Sequence, residues 1–160
     1  MEQSAECQEQ KQNTRTTCHG LAEPATELVQ VQCRREIPSG GRKNNSEWCV
    51  RDYRGQFVLA GSSWINGRWS INEGEAIEIL EAMNELHQRG YTNVIFETNS
   101  QNVADTIHHM HSGVLEFSSI VCKIICMLSN HYDFQVKSIK RQTYMVTYTL
   151  AKAAISWPSR

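Results

Sequence analysis

Charged side chains are divided unevenly along the chain. The segment 73–116 holds eight acidic residues and a single basic one, Arg89. The segment 134–160 holds no acidic residue and five basic ones: Lys137, Lys140, Arg141, Lys152 and Arg160. Clustered carboxylates suit divalent cations, whereas clustered cations suit phosphates. The separation therefore permits a metal-binding cleft beside a phosphate-binding edge, although a solvated helix face next to a basic tail explains it equally well.

Two smaller groups of residues have side chains that bind metals. His108, His109 and His111 lie near the end of a predicted helix, where histidines three residues apart can share a face and bind zinc. A closed zinc site needs four ligands, so cationic histidines at a helix C-terminus are the more ordinary interpretation. Cys122 and Cys126 are four residues apart on another predicted helix, and we expect them to be core thiols rather than ligands.

The composition is that of one ordinary folded domain. The 160 residues have a mass of 18.3 kDa, 40% are hydrophobic, and the net charge of -1 indicates no partner by itself. No apolar run approaches the ~18 residues of a membrane-spanning helix, and the polar first 12 residues do not form a secretory signal. Six scattered cysteines without a C-x-x-C pair favour reduced thiols. We therefore expect an intracellular protein of unknown compartment, without a membrane segment.

Two regions of different character follow one another along the chain. Residues 1–47 are mostly polar, which predicts a disordered tail with a possible remnant of a first strand near 28–36 and a long loop over 34–47. Residues 48–160 form the predicted domain. Its elements are a hairpin around a turn at 52–55, a helix over 73–88, a strand over 91–97, a helix capped by Ser100, a helix over 117–128, a strand over 134–139 and a helix over 142–155. This order predicts a mixed α/β fold with some parallel strand pairing.

Five segments of the second region carry a resemblance to a known family. They are W-C-V-R-D-Y-R-G-Q-F-V-L-A-G-S-S-W (48–64), E-G-E-A-I-E-I-L-E-A-M (73–83), N-V-I-F-E-T-N-S-Q-N-V-A-D-T-I (93–107), F-Q-V-K-S-I-K-R-Q (134–142) and L-A-K-A-A-I-S-W-P-S (150–159). Together, in this order, they resemble the ribonuclease H-like domain of plant reverse-transcriptase-type retroelements and of plant genes derived from them. The resemblance implies a mixed sheet of five strands, flanked by helices.

The resemblance also implies a chemistry. Active members of the family cut the RNA strand of an RNA–DNA hybrid with two Mg²⁺ ions, which four carboxylates hold. One carboxylate lies on the first strand, one on the first helix, one at the end of the next strand and one on the last helix. Two divalent ions ~3.5–4 Å apart need several anionic ligands, because the ions repel each other.

The four ligand positions are only partly acidic in this sequence. Glu75 matches the carboxylate of the first helix. Asn99 stands where the strand should end in Asp, and Tyr148 stands where the last helix should carry an acid. Glu36 is the acid nearest to the missing aspartate of the first strand. The resemblance therefore implies that Glu75 is the main remaining ligand of a weakened metal site.

We expect the basic end of the chain to contact nucleic acid. Lys137, Lys140 and Arg141 lie at the end of the last predicted strand, where the family approaches its substrate. We therefore predict a ribonuclease H-like domain that binds an RNA–DNA hybrid or RNA weakly and is impaired in cleavage. The alternatives are an active Mg²⁺-dependent hybrid ribonuclease, with Glu36 and Asn99 as ligands, and a decayed retroelement product without a stable fold.

Overall fold

A single mixed sheet with helices forms the described part of the chain. The computed structural model describes residues 17–19, 27–36, 43–67, 69–109, 118–140 and 149. In chain order the elements are β1 Thr17–His19, β2 Val29–Glu36, β3 Lys43–Asp52, β4 Phe57–Asn66, α1 Ile71–Gln88, β5 Val94–Thr98, α2 Gln101–His109, α3 Ser118–Asn130 and β6 Phe134–Ser138. None of these described helices is long and apolar enough to cross a membrane.

The strand directions decide which ends of the elements meet. The order across the sheet is β1-β4-β3-β2-β5-β6. The pairs β1/β4, β4/β3 and β3/β2 are antiparallel, while β2/β5 and β5/β6 are parallel. Strands β2, β4, β5 and β6 therefore run in the same direction. Their carboxyl ends lie on one side of the sheet, which we call the carboxyl edge.

One hydrophobic core joins a face of the sheet to the helices. On α1 the buried side chains include Ile79, Met83 and Leu86, which follow helical spacing. They pack in the same cluster as strand residues such as Trp48 and Phe96 and as residues of α2 and α3. The predicted mixed sheet with flanking helices is confirmed, and the short β1 adds a sixth strand at the outer side of β4.

Local sequence signals set the ends of the β3–β4 hairpin and of α1. The side chain of Asp52 accepts hydrogen bonds from the backbone N–H groups of Arg54 and Gln56, and Gly55 has a φ of +79° that favours glycine. At the start of α1, Ser70 and Glu73 form a capping box, and Gly90, with a φ of +75°, follows its C-cap. The predicted hairpin and the predicted end of the first helix are therefore confirmed.

The possible first strand near 28–36 is present as β2, whereas the loop predicted over 34–47 is wrong where β2 and β3 extend into it. The boundary between residues 47 and 48 lies inside β3, which begins at Lys43, and the first strand is a complete central strand, β2, between β3 and β5. The loop prediction fails because β2 pairs with β3 over a longer stretch than it pairs with β5. Pairing of β2 with β5 ends at Gln32, but its pairing with β3 continues to Glu36, opposite Asn45. This extension is polar in sequence and therefore resembles a loop, although it is strand. The predicted helix over 142–155 lies outside the described residues, apart from Thr149.

Candidate functional site

The topology brings three of the predicted site residues to the carboxyl edge. Helix α1 follows β4 and begins at this edge, so Glu75 lies in its second turn close to the strand ends. Asn99 comes directly after β5, and Lys140 comes two residues after β6. Because β5 and β6 are parallel neighbours, Asn99 and Lys140 belong to adjacent strand ends. The edge therefore carries one acid, one amide and one base from separate elements.

Glu75 is a half-buried acid near the N-terminus of α1. Glu73, two residues earlier, already accepts a hydrogen bond from the backbone N–H of Ser70 (2.8 Å) in the capping box. The neighbours Gly74 and Ala76 are buried, so the helix backbone is held against the sheet on both sides of Glu75. An anion is favoured here by the helix dipole. Glu75 is thus positioned by a well-packed helix and is available to a ligand at the carboxyl edge.

Asn99 lies in a tightly bonded connection between β5 and α2. The side chain of Thr98 accepts a hydrogen bond from Ser100 N (3.1 Å), and Ser100 Oγ accepts one from Val103 N (3.3 Å) as the cap of α2. The carbonyl of Thr98 accepts a hydrogen bond from Ile139 N (2.8 Å), which fixes the end of β6 beside it. Asn99 itself is exposed. The backbone around Asn99 is therefore held by hydrogen bonds to α2 and β6, and its side chain is an uncharged amide.

The register of β2 and β5 decides which residue of the first strand lies level with Asn99. Gln32 pairs with Glu97 in parallel register, so the residue two positions further along β2, level with Asn99, is Arg34. Glu36 lies two residues beyond that level, or roughly 6–7 Å along the strand. The acid that the sequence suggested for this strand is thus displaced from Asn99, and the residue at the matching level is basic.

The sheet face opposite α1 holds an ion pair that the sequence did not predict. Glu97 is buried and accepts hydrogen bonds from Arg51 Nη2 (2.8 and 3.0 Å) and from Gln32 Nε2 (3.0 Å). Phe96, the residue before Glu97, lies in the core on the other face, as strand alternation requires. Glu97 is therefore committed to Arg51 and Gln32 and is separated by the sheet from α1. The sequence signal that could have indicated this pairing is Gln32, a polar residue in the alternating segment Val29–Cys33.

Two buried groups on the α1 side were also missed. Glu78, one turn after Glu75, is only 3% exposed, and Cys33 of β2 is 4% exposed. Burial, reinforced by the charge of Glu78, raises the pKa of the Cys33 thiol well above its ordinary value. Burial also raises the pKa of Cys49 to about 11. Both thiols therefore stay protonated near neutral pH and are poor nucleophiles and poor metal ligands.

Basic side chains line the β6 side of the carboxyl edge. Lys137 and Lys140 are exposed. The strand that carries them is anchored to α2, because Ser138 Oγ donates a hydrogen bond to Gln101 Oε1 (2.7 Å) and His108 Nε2 lies 2.9 Å from the carbonyl of Val136. The two lysines therefore project from a fixed strand end. Two predicted site residues, Arg141 and Tyr148, lie outside the described residues.

A family model described as reverse transcriptase-like matches residues 39–154. The chain belongs to the reverse transcriptase-like family. No curated protein matches it. The matched region of this reverse transcriptase-like domain includes β3 to β6 and excludes β1 and β2.

Solved ribonuclease H structures share the fold of the domain. Ribonuclease H1 of the halophilic archaeon Halobacterium salinarum is 17% identical with a TM-score of 0.65, over 79% of this chain and 96% of that one. LC11-RNase H1 in complex with an RNA/DNA hybrid is 15% identical with a TM-score of 0.63, over 79% and 96%. The N-terminal RNase H domain of a Mycobacterium tuberculosis protein is 14% identical with a TM-score of 0.63, over 81% and 94%. The reverse transcriptase-like domain therefore has the ribonuclease H fold.

The donors that the structure describes at the carboxyl edge are too few to hold a pair of Mg²⁺ ions. In the part of the chain that the structure describes, no group of three or more His, Cys, Asp or Glu side chains could hold a metal ion. Glu75 supplies one carboxylate, Asn99 supplies an uncharged amide oxygen, and the last described β2 side chain on the α1 face is the buried thiol of Cys33. Two adjacent divalent ions need more anionic oxygens than this set provides.

Proposed function

We propose that this reverse transcriptase-like domain binds nucleic acid weakly and does not cleave RNA–DNA hybrids at an appreciable rate. The proposal rests on the groups around Glu75: Asn99 supplies an uncharged amide, and the last described β2 side chain on the α1 face is the buried thiol of Cys33. A protonated thiol and an amide bind Mg²⁺ only weakly, because this ion prefers carboxylate oxygens. The neutral Tyr148 in the sequence supports the same conclusion. The ordered motifs of the sequence further support an origin in a plant retroelement.

Binding is assigned to the basic end of the carboxyl edge. Lys137 and Lys140 are exposed there, and Arg141 follows directly in the sequence. Lysine and arginine bind the phosphate backbone without reading the bases, so the contact should be independent of sequence. The acidic side chains of α1 repel phosphates, and a site with few ligands holds little Mg²⁺ to offset this repulsion. Weak, salt-sensitive binding to an RNA–DNA hybrid or to RNA is the expected result.

The salt dependence of binding tests this assignment. We expect Lys137→Ala/Lys140→Ala to reduce the slope of log K against log salt by about 2, because each phosphate contact contributes ~0.9. The matched control is Arg54→Ala/Lys123→Ala, which removes the same charge from exposed positions on the β3–β4 turn and on α3. The measurement is a titration of a short labelled hybrid at several salt concentrations. Equal slopes in both double variants would refute the assignment to the carboxyl edge.

An active hybrid ribonuclease is the second candidate, and the position of Glu75 favours it. This acid is half-buried near the N-terminus of a helix, as a metal ligand would be. A titration of Mg²⁺ or Mn²⁺ followed by melting temperature separates the candidates. A cooperative melt without a shift supports the impaired domain, whereas a shift that Glu75→Ala abolishes supports a metal site. Absence of a cooperative transition would support the decayed product, against which the continuous buried core argues.

A further inference from the structure

Two cysteines on α3 lie outside the core, contrary to the expectation from their spacing. Cys122 and Cys126 are both exposed free thiols, whereas the apolar residues Val121 and Ile124 face the core. Residues four apart lie on the same face of a helix, so Cys122 and Cys126 form one exposed stripe. Asn130 continues this stripe, and its Nδ2 donates a hydrogen bond to Cys126 Sγ (3.7 Å). Side chains four residues apart on this face therefore reach each other.

The helix holds the two thiols at a distance that suits an ion better than a disulfide. Side chains at positions i and i+4 have Cβ atoms ≈ 5–6 Å apart. A disulfide needs Cβ atoms about 3.5–4.5 Å apart, so it would distort α3. Two sulfurs that bind one ion at ~2.3 Å each can lie up to about 4.6 Å apart, which the longer Cβ separation allows.

The number of ligands selects the kind of ion. Within the described residues no third His, Cys, Asp or Glu side chain completes a group with these two thiols. Zinc prefers four ligands, whereas soft thiolates select Cu(I). We propose that Cys122 and Cys126 bind one Cu(I) ion between their two sulfurs. On binding, each thiol releases a proton and forms a Cu–S bond, with no change in the oxidation state of copper or sulfur.

Neighbouring groups favour this pair over the other described thiols. The bound dithiolate complex carries a net charge of minus one. Lys123 is exposed and lies three residues before Cys126, close enough on the helix surface to offset that charge. Cys33 and Cys49 are buried, and their raised pKa values oppose thiolate formation. The proposed ion site therefore lies on the exposed face of α3.

The test is a competition for Cu(I) between the reduced full-length protein and a coloured chelator, without oxygen. The variants are Cys122→Ser, Cys126→Ser and the respaced double change Cys126→Ser/Ser129→Cys. The respaced variant keeps the number of thiols but puts them seven residues apart, about 10 Å along the helix. We expect the wild type to bind one Cu(I) roughly 100-fold more tightly than any of the three variants, since it chelates the ion.

Control measurements test the folding of the variants and the release of protons on binding. All substituted positions are exposed, and unchanged melting curves without copper will show that each variant folds. Binding by the wild type should release about two protons per ion, measured in weakly buffered solution. Equal affinity in the wild type and the respaced variant would overturn the proposal, because binding would then not depend on the four-residue spacing. Equal affinity in either single variant would overturn it as well.

Discussion

Arg51 balances the buried charge of Glu97, so its replacement by methionine should destabilise the sheet. The Arg51 side chain is 19% exposed and that of Glu97 is 6% exposed, and one guanidinium nitrogen bonds both carboxylate oxygens. Loss of one partner of a fully buried ion pair costs about 3–5 kcal/mol. Because Arg51 is partly exposed, water can reach the vacated space. We therefore expect Arg51→Met to lower the free energy of unfolding by about 2–4 kcal/mol.

Urea unfolding measures this loss, and a double-mutant cycle shows its origin. With a slope of about 2 kcal/mol per M of urea, the midpoint should fall by about 1–2 M. Glu97→Gln removes the charge that Arg51 balances, so the double variant should lose less than the sum of the two single losses. Additive losses, or a loss below about 0.5 kcal/mol in Arg51→Met, would refute the reasoning that Glu97 is a buried charge held by Arg51.

Two further changes test the packing and the charge of the α1 side. Gly61→Ala puts a Cβ into the ring of the buried Trp48, so we expect a loss of about 2–3 kcal/mol or more in urea unfolding, and an unchanged midpoint would contradict the packing. Burial, with the charge of Glu85, raises the pKa of Glu81, so the folded protein keeps this proton to higher pH than the unfolded chain and loses stability as pH rises. Glu81→Gln should therefore raise the melting temperature more at pH 7 than at pH 4, and the opposite order would contradict the shift.

The elements with strong local signals could be predicted from the sequence. Helix α1 combines helical spacing of apolar residues with a basic residue and a glycine at its end. Strand β5 is a short apolar run of branched and aromatic residues, and all five of its residues are buried. In each case local propensity and tertiary burial favour the same structure, which is why the prediction succeeded.

The full extent of the first strand, suggested near 28–36, could not be predicted because its polar residues depend on distant partners. Gln32 is fully buried, and its amide nitrogen donates a hydrogen bond to Glu97, which lies 65 residues further along the chain. Arg34 and Arg35 extend the β2–β3 pair beyond the end of β5. A sequence pattern contains neither the pairing nor its register. The polar end of this central strand was therefore assigned to the loop predicted over 34–47.

The candidate site was partly predictable for the same reason. Glu75 and Asn99 follow from the ordered motifs, since each lies next to an element with a clear local signal. The side of β2 that faces α1, which carries Cys33, needed the packing of the sheet against the helix. The exposure of Cys122 and Cys126 needed the packing of α3, because a helix with many apolar residues does not show from spacing alone which side faces solvent.

Cleavage of a labelled RNA–DNA hybrid in the presence of Mg²⁺ tests the central claim most directly. The purified full-length protein and its Glu75→Ala variant are compared over a range of Mg²⁺ concentrations. Because the amide of Asn99 and the buried thiol of Cys33 are weak ligands for Mg²⁺, the proposal predicts that the wild type cleaves no faster than the variant or the protein-free background. Mg²⁺-dependent cleavage of the RNA strand by the wild type, abolished in Glu75→Ala, would contradict the account.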